Sequence, residues 1–143
     1  MLIGEFQHNV DQKGRLFVPA KFREELGETF VITRGIGACL FVFSNEEWVN
    51  FSKKLRALPM TDRRAQDFLR MLFAGACECE PDKQGRILLP QRLREHAGIE
   101  KEVVVIGVMS RMEIWAKTNW DTYNENTYSD FEETLMKMSE LGI

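Results

Sequence analysis

Residues 11–27 read Asp11-Gln-Lys-Gly-Arg15-Leu-Phe-Val-Pro19-Ala-Lys-Phe-Arg23-Glu24-Glu-Leu-Gly27, and this segment recurs 71 residues later. The second copy is Asp82-Lys-Gln-Gly-Arg86-Ile-Leu-Leu-Pro90-Gln-Arg-Leu-Arg94-Glu95-His-Ala-Gly98. Seven of the seventeen positions are identical, and most of the others exchange residues of similar size or charge. A repeat of this length usually corresponds to a supersecondary unit that cannot bury its apolar face alone. We therefore expect two such units to pack together about a local twofold axis.

The repeat extends beyond these two segments. Gly4 and Gly75 precede Asp11 and Asp82 by the same seven residues. Downstream the offset becomes 72, and it aligns Val31 with Val103, Gly35 with Gly107, Leu40 with Met112, Val42 with Ile114, Phe43 with Trp115 and Trp48 with Trp120. The chain thus divides into repeat 1, residues 1–74, and repeat 2, residues 75–143. Because about 70 residues bury only a marginal core, and no Pro/Gly/Ser-rich linker separates the halves, we expect one globular unit rather than two independent domains.

The composition is that of an ordinary soluble domain, with 44% apolar and 29% charged residues. No apolar run approaches the roughly 20 residues needed to span a bilayer, and no export leader is recognisable at the N-terminus. Three cysteines, an odd number, favour a reducing compartment over a disulfide framework. These features predict a cytoplasmic protein without a membrane partner.

The two repeated segments are locally basic although the net charge of the chain is −3. Residues 12–23 and 83–94 each carry four Lys or Arg side chains and no acid, whereas residues 121–140 carry six acids and a single lysine. A local basic patch can steer an anionic partner even when the whole molecule is acidic. The alternative, that surface charge is simply scattered, is disfavoured because the same basic window occurs in both halves.

The order of predicted elements favours an α+β fold. In each half a hairpin closed by a glycine turn leads into a short helix, then a second hairpin and longer helices. Pro19 and Pro90 are expected as first helical residues, and a strand is expected at Gly75–Glu80. Capping boxes are expected to start helices at Ser44 and Ser129. Parallel βαβ units would need a helical crossover after each strand, so we expect interleaved antiparallel hairpins that close a small barrel, with helices outside.

The hairpin turns carry the chemistry. In both copies an acid and an arginine flank a glycine turn as Asp-x-x-x-Arg, which makes a carboxylate–guanidinium pair geometrically available. Such a pair would aim the guanidinium of Arg15 or Arg86 at phosphate oxygens or a guanine edge. Lys13 and Lys83 would add phosphate contacts at the loop tips. The structural alternative is that each Asp–Arg pair only closes its turn.

Taken together, these residues resemble those of the MraZ family of bacterial transcriptional regulators, which have two SpoVT-AbrB-type repeats, each marked by a DxxxR motif. The similarity spans the whole chain and includes Asp11 and Arg15, Asp82 and Arg86, the turn glycines Gly14 and Gly85, and the two prolines that follow. It implies a swapped-hairpin, double-psi-like β-barrel made of two pseudo-symmetric halves with flanking α-helices. It also implies a ring-shaped homo-oligomer, which binds tandem repeats of double-stranded DNA ahead of its own gene in the division and cell-wall cluster and is associated with the nucleoid.

The resemblance places Arg15 and Arg86 at the motif positions, so we rank them first as DNA-binding residues and Lys13 and Lys83 at the loop tips second. Orientation of the motif is assigned to Asp11, Asp82, Gly14 and Gly85. No catalytic motif, cofactor fingerprint or metal-ligand spacing is recognisable, so we expect neither an enzyme nor a small-molecule substrate, cofactor or metal. Cys77 and Cys79 are expected to be buried reduced thiols, and Phe17 is expected to be buried. The remaining alternatives are a non-enzymatic scaffold or protein-interaction module, and a nonspecific RNA binder, which would be expected to show exposed aromatic platforms.

Overall fold

The computed structural model describes all residues from 1 to 143 and contains eight strands and six helices. The strands are β1 Leu2–Asn9, β2 Arg15–Phe17, β3 Phe30–Arg34, β4 Cys39–Ser44, β5 Cys77–Cys79, β6 Arg86–Leu88, β7 Glu102–Met109 and β8 Arg111–Ala116. The helices are α1 Ala20–Leu26, α2 Asn45–Leu55, α3 Arg63–Gly75, α4 Gln91–Ala97, α5 Lys117–Ser129 and α6 Phe131–Ser139. None of the helices is both long enough and apolar enough to cross a bilayer.

The strands form a six-stranded antiparallel sheet and a two-stranded ribbon. The sheet order is β1-β7-β8-β4-β3-β5, and the ribbon pairs β2 with β6. Exchanging each strand with its repeat counterpart reverses this order, so the sheet has twofold pseudo-symmetry with β4 and β8 at its centre. β1 of the first half pairs with β7 of the second, and β5 of the second half pairs with β3 of the first. The predicted α+β class and the swapped-hairpin arrangement of two halves are confirmed.

One apolar core joins the two halves. Twenty buried residues from the inner face of the sheet, the ribbon and helices α1 and α4 form a single cluster. Leu16 of β2 and Ile87 of β6 point into it from the ribbon, and Phe22 and Leu93 enter it from the two short helices. Since each half supplies one strand of the ribbon and one of the short helices, neither half can bury its apolar face without the other.

Helices α2 and α5 cover the opposite face of the sheet. Phe43 of β4 stacks on Phe51 of α2 with ring centroids 5.3 Å apart. Trp115 of β8 meets Tyr123 of α5 at 5.0 Å. The central strands are thereby covered on both faces, which accounts for their nearly continuous apolar sequences.

The strand pairs correct part of the predicted repeat alignment. Phe30 pairs with Ser44, whereas Val103 pairs with Ala116. Because Ser44 and Ala116 are equivalent at an offset of 72, the counterpart of Val103 is Phe30 rather than Val31. Gly35 is likewise not the counterpart of Gly107, since Arg34 takes that position. The cause is the length of the hairpin connection: five residues separate Arg34 from its partner Leu40, whereas four separate the equivalent Gly107 and Met112.

Some element boundaries also differ from the prediction. Pro19 and Pro90 are the N-cap residues of α1 and α4 rather than their first helical residues. The predicted strand at Gly75–Glu80 is shorter, Cys77–Cys79, because α3 continues to Gly75.

The two predicted capping boxes have different outcomes. Ser44 caps α2 by accepting a hydrogen bond from the Glu47 backbone N–H. Ser129 caps no helix, because it is the last residue of α5 and its hydroxyl donates back to the Asn126 carbonyl. The capping box predicted there is therefore wrong.

Candidate nucleic-acid interface

Asp11 organises the first motif loop, residues 11–15. Its Oδ1 accepts the backbone N–H groups of Lys13 and Arg15, both at 2.9 Å. Its Oδ2 accepts Nε of Arg15 at 2.7 Å. The Gly14 N–H closes the turn on the Asp11 carbonyl at 3.0 Å. One carboxylate thus fixes both the backbone of the loop and the direction of its arginine.

The second motif loop, residues 82–86, repeats this geometry. Oδ1 of Asp82 accepts the N–H groups of Gln84 and Arg86 at 2.9 Å, and Oδ2 accepts Nε of Arg86 at 2.9 Å. Gly85 closes the turn on the Asp82 carbonyl at 2.9 Å. The agreement of two independent loops shows that the motif itself specifies this shape.

Both turns require glycine. Gly14 and Gly85 have φ angles of 83° and 81°, which an L side chain rarely adopts. The carbonyl of each glycine also accepts a hydrogen bond from the other half of the chain. The Val18 N–H donates to the Gly85 carbonyl at 3.0 Å, and the Leu89 N–H donates to the Gly14 carbonyl at 2.8 Å. Each motif loop is therefore attached to the end of the ribbon strand from the other half.

The ribbon places both arginines on one face of the molecule. β2 and β6 pair Arg15 with Leu88, Leu16 with Ile87 and Phe17 with Arg86. Since side chains alternate along a strand and Leu16 and Ile87 are buried, the other members of these pairs face outward.

The arginine side chains are about one-third exposed, at 32% and 29% for Arg15 and Arg86. Nη1 of Arg86 lies 3.9 Å from Oδ2 of Asp11, so the two motifs are in contact across the halves. The structure thus brings Arg15 and Arg86 together on one surface.

The two lysines lie on the exposed loop tips. They are not equivalent positions, because Lys13 matches Gln84 and Lys83 matches Gln12 in the repeat. Neither ammonium makes an ion pair with a carboxylate of the chain, unlike the two arginines. Both charges are therefore available to an anionic partner.

The carboxylates of the motif are held in the charged form. The hydrogen bond from the Arg15 backbone N–H, followed by the Arg15 side chain and the Lys13 N–H, lowers the pKa of Asp11 in spite of some desolvation. The Arg86 backbone N–H, the Arg86 side chain and the Gln84 N–H do the same for the pKa of Asp82. The guanidinium groups consequently keep their ionic partners throughout the neutral range.

Two further arginines belong to this surface and were not among the residues predicted from the sequence. Arg23 of α1 and Arg94 of α4 lie against the turn glycines of the two loops. Their identity in both repeats was the available signal. Phe17 was expected to be buried but is only half-buried, because it lies on the outward face of the ribbon beside Arg23.

Other parts of the chain show no comparable arrangement of functional groups. Cys39 is fully buried, whereas Cys77 and Cys79 are free thiols that are only half-buried rather than buried as predicted, because β5 is an edge strand of the sheet. Burial raises the pKa of Cys39 and of Cys79 to about 12, so neither is a ready nucleophile. No three His, Cys, Asp or Glu side chains are close enough to bind a metal ion. The cleft between Glu102 and Asp121 is lined almost wholly by polar residues, unlike the mostly apolar pockets that bind small molecules.

Comparison with known proteins identifies similar chains. A family model described as "MraZ protein, putative antitoxin-like" matches residues 1–71 and again residues 72–140. A "Transcriptional regulator MraZ" from Caldicellulosiruptor bescii is 56% identical over 143 residues, and one from a Thermoanaerobacter species is 55% identical over the same length. A third, from Acetivibrio thermocellus, is 53% identical. In all three cases the similarity covers the whole of both chains, and the name is that of a regulator rather than an enzyme.

Proposed function

This chain belongs to the MraZ family, and we propose that it is a DNA-binding transcriptional regulator whose two motif loops and β2–β6 ribbon form the DNA-binding surface. A two-stranded antiparallel ribbon fits the major groove of B-DNA, and several regulators bind DNA in that way. The proposal rests above all on one observation: two guanidinium groups, each fixed by its own aspartate, lie next to each other on the outward face of one ribbon.

The roles of the site residues follow from their free donors. The Nη atoms of Arg15 make no hydrogen bond within the chain, so both remain available for a bidentate contact to a guanine edge. Lys13 and Lys83 lie on the loop tips and bind phosphates, which sets position rather than sequence preference. Asp11, Asp82, Gly14 and Gly85 hold the loops in the shape that aims the two arginines.

We propose a ring-shaped homo-oligomer as the functional form. The monomer leaves an apolar helix surface uncovered, since Phe131, Leu135, Met138 and Leu141 of the C-terminal segment are all exposed. Head-to-tail contacts through such a surface close into a ring when the rotation between copies permits it. Neighbouring copies would then present their ribbons in the same orientation, which suits direct tandem repeats in DNA.

The proposed target is a set of tandem repeats ahead of the protein's own gene in the division and cell-wall cluster. Footprinting on that upstream region is the direct test, because the spacing of protected bases gives both the target and the register of successive subunits. Protection at regular intervals by wild type, and its loss in an Arg15→Ala/Arg86→Ala double variant that still assembles, is the expected result.

The same experiment distinguishes the scaffold alternative. If the protein were a scaffold whose motif loops serve only to close turns, wild type and the double variant would protect the upstream fragment equally, or neither protein would protect it. Circular dichroism and light scattering on both proteins provide the control, since the two substitutions lie on the exterior face and leave the core residues Leu16 and Ile87 in place.

A further inference from the structure

We propose that Arg23 and Arg94 are positioning residues, each of which holds the motif loop of the opposite half, so that the two loops form one coupled DNA-binding unit. This inference deepens the function proposed above and rests on it. It assigns to two arginines a role that differs from direct contact with DNA.

Arg23 connects α1 to the second motif loop. Its Nε donates to the carbonyl of Val18, at the end of its own ribbon strand, at 3.0 Å. Its guanidinium lies flat against Gly85: a Cβ added there would be 2.6 Å from both Cζ and Nη1. The Val18 N–H in turn donates to the Gly85 carbonyl. Val18, Gly85 and Arg23 thus form a closed set of contacts between the two halves.

Arg94 repeats the arrangement on the first motif loop. Its Nε donates to the Leu89 carbonyl at 2.9 Å, and a Cβ added to Gly14 would be 3.1 Å from its Cζ. The Leu89 N–H donates to the Gly14 carbonyl. A side chain at either glycine would also press on the guanidinium packed against it, more strongly at Gly85 than at Gly14.

The environment of these arginines favours a supporting role over DNA contact. Both are half-buried, and neither forms an ion pair with a carboxylate. A guanidinium is planar and weakly hydrated, so it can stack on peptide and aromatic groups where an ammonium would remain in water. Arg23 makes such a contact with Phe17, whose ring centroid is 5.3 Å from Cζ and which faces Arg86 across the ribbon.

Crossed support has a distinctive consequence. Loss of Arg23 should loosen the loop that carries Arg86, in the other half of the chain, and leave the loop that carries Arg15 unchanged. Loss of Arg94 should do the reverse. A phosphate contact would show no such crossed pattern, and neither would a general contribution to folding.

The first measurement uses the free protein. In Arg23→Gln, the guanidinium that packs against Gly85 and is anchored on the Val18 carbonyl is lost. Amide hydrogen exchange at Gln84 and Gly85 should therefore accelerate by about tenfold, close to the lower end of the effect of losing a hydrogen bond to a charged group, while exchange at Lys13 and Gly14 stays at the wild-type rate. Arg94→Gln should show the opposite pattern. Arg23→Lys keeps the charge but loses the planar group, and its amide exchange rates should match those of Arg23→Gln. It also provides a second variant should Arg23→Gln fail to fold. Acceleration confined to a variant's own half, or equal in both loops, would overturn the proposal.

The matched controls lie two residues earlier on the same helices. Lys21 and Arg92 occupy equivalent exposed positions on α1 and α4, and Lys21→Gln and Arg92→Gln change the charge by the same amount without touching a loop. Exchange in both loops should remain at the wild-type rate in these variants. Acceleration in them equal to that in Arg23→Gln would attribute the effect to charge and sink the proposal.

The second measurement is a double-mutant cycle on DNA affinity. Arg23→Gln should weaken binding in an Arg15→Ala background but add almost nothing in an Arg86→Ala background, where the supported arginine is already missing. Its effect on the salt dependence should not exceed that of Lys21→Gln. Two results would show that Arg23 contacts DNA directly instead. One is a slope of log affinity against log salt concentration reduced by a further ~0.9, the value for one lost phosphate contact. The other is an equal loss of DNA affinity in both backgrounds. If wild type binds no upstream DNA, the proposed function fails, whereas the exchange result still decides whether the loops are coupled.

Discussion

Replacing Arg15 by lysine separates charge from geometry at the proposed DNA-binding surface. The substitution keeps the positive charge but removes the planar fork and the Nε that Asp11 holds at 2.7 Å. Because phosphate attraction depends mainly on charge and base recognition on bidentate geometry, Arg15→Lys should lose preference for the operator while retaining general affinity for DNA.

The size of the effect follows from the donors that remain free. Of the five N–H groups of a guanidinium, the one on Nε is engaged by Asp11, and the four on Nη1 and Nη2 suffice for one bidentate base contact. Such a contact discriminates by about 1–3 kcal/mol, so the ratio of operator to nonspecific affinity should fall by about fivefold to 150-fold per subunit site. Arg86→Lys should lie at the lower end, because its Nη1 already lies within 3.9 Å of Asp11.

Fluorescence anisotropy with an operator duplex and a scrambled duplex, each titrated at several salt concentrations, measures both quantities. Arg15→Lys should leave the salt slope unchanged and reduce the affinity ratio. Lys13→Gln is the matched control: it should lower the slope by about 0.9 and leave the ratio intact. An Arg15→Lys variant with an unaltered ratio would show that Arg15 contacts only phosphate, which would refute the assignment of base recognition to the motif.

Three further predictions test other parts of the structure. The pKa values of Asp11 and Asp82 are lowered, so these carboxylates stabilise the loops fully at any pH above the ordinary aspartate pKa of about 3.9. The stabilisation is lost as the pH falls through the lowered pKa values. Titration of the loop amide chemical shifts measures this, and a midpoint at or above the ordinary pKa would contradict it. Arg111→Met should lower the free energy of unfolding measured in urea by about 3 kcal/mol, because it leaves the Glu113 carboxylate buried with only the Trp115 N–H donating to it. A decrease below about 1 kcal/mol would mean that the Arg111–Glu113 pair behaves like an exposed salt bridge. Residues 130–143 are all exposed, so their removal should leave intact the near-ultraviolet circular dichroism of Trp115 and its neighbours Trp120 and Tyr123. The mass of the assembly measured by light scattering should fall. An unchanged mass would exclude α6 from the contact between subunits.

The motif loops could be predicted from the sequence because their shape is local. Asp, Gly and Arg at fixed spacing determine the turn, its carboxylate hydrogen bonds and the direction of the arginine through contacts within five residues of the chain. The same is true of the cap at Ser44. Local signals fail where two of them compete: Ser129 has the pattern of a cap, but α5 extends through it and uses its hydroxyl on the preceding turn.

The repeat alignment and the crossed support depend instead on pairing between distant strands. An identical glycine in each half suggested that Gly35 and Gly107 are equivalent, yet hairpin loops of unequal length place Arg34 opposite that position. Arg23 and Arg94 were recognisable as repeated basic residues, but only the interleaving of the hairpins brings each to the other half's glycine. A single sequence contains no signal for which half an arginine will contact.

The topology also explains how an acidic chain can present a basic surface. Pairing of β2 with β6 brings the two acid-free windows, residues 12–23 and 83–94, to the same ribbon, whereas the acids of residues 121–140 lie on α5 and α6. Helix α5 packs on β7 and β8, and α6 follows it directly along the chain, so neither belongs to the ribbon. On the proposed assignment, each subunit offers two arginines and two lysines to DNA, which would give weak and salt-sensitive binding by itself. A ring that places several such ribbons on successive repeats raises the effective concentration of each after the first has bound, and affinity for the operator should therefore depend steeply on the number of repeats and not only on their sequence.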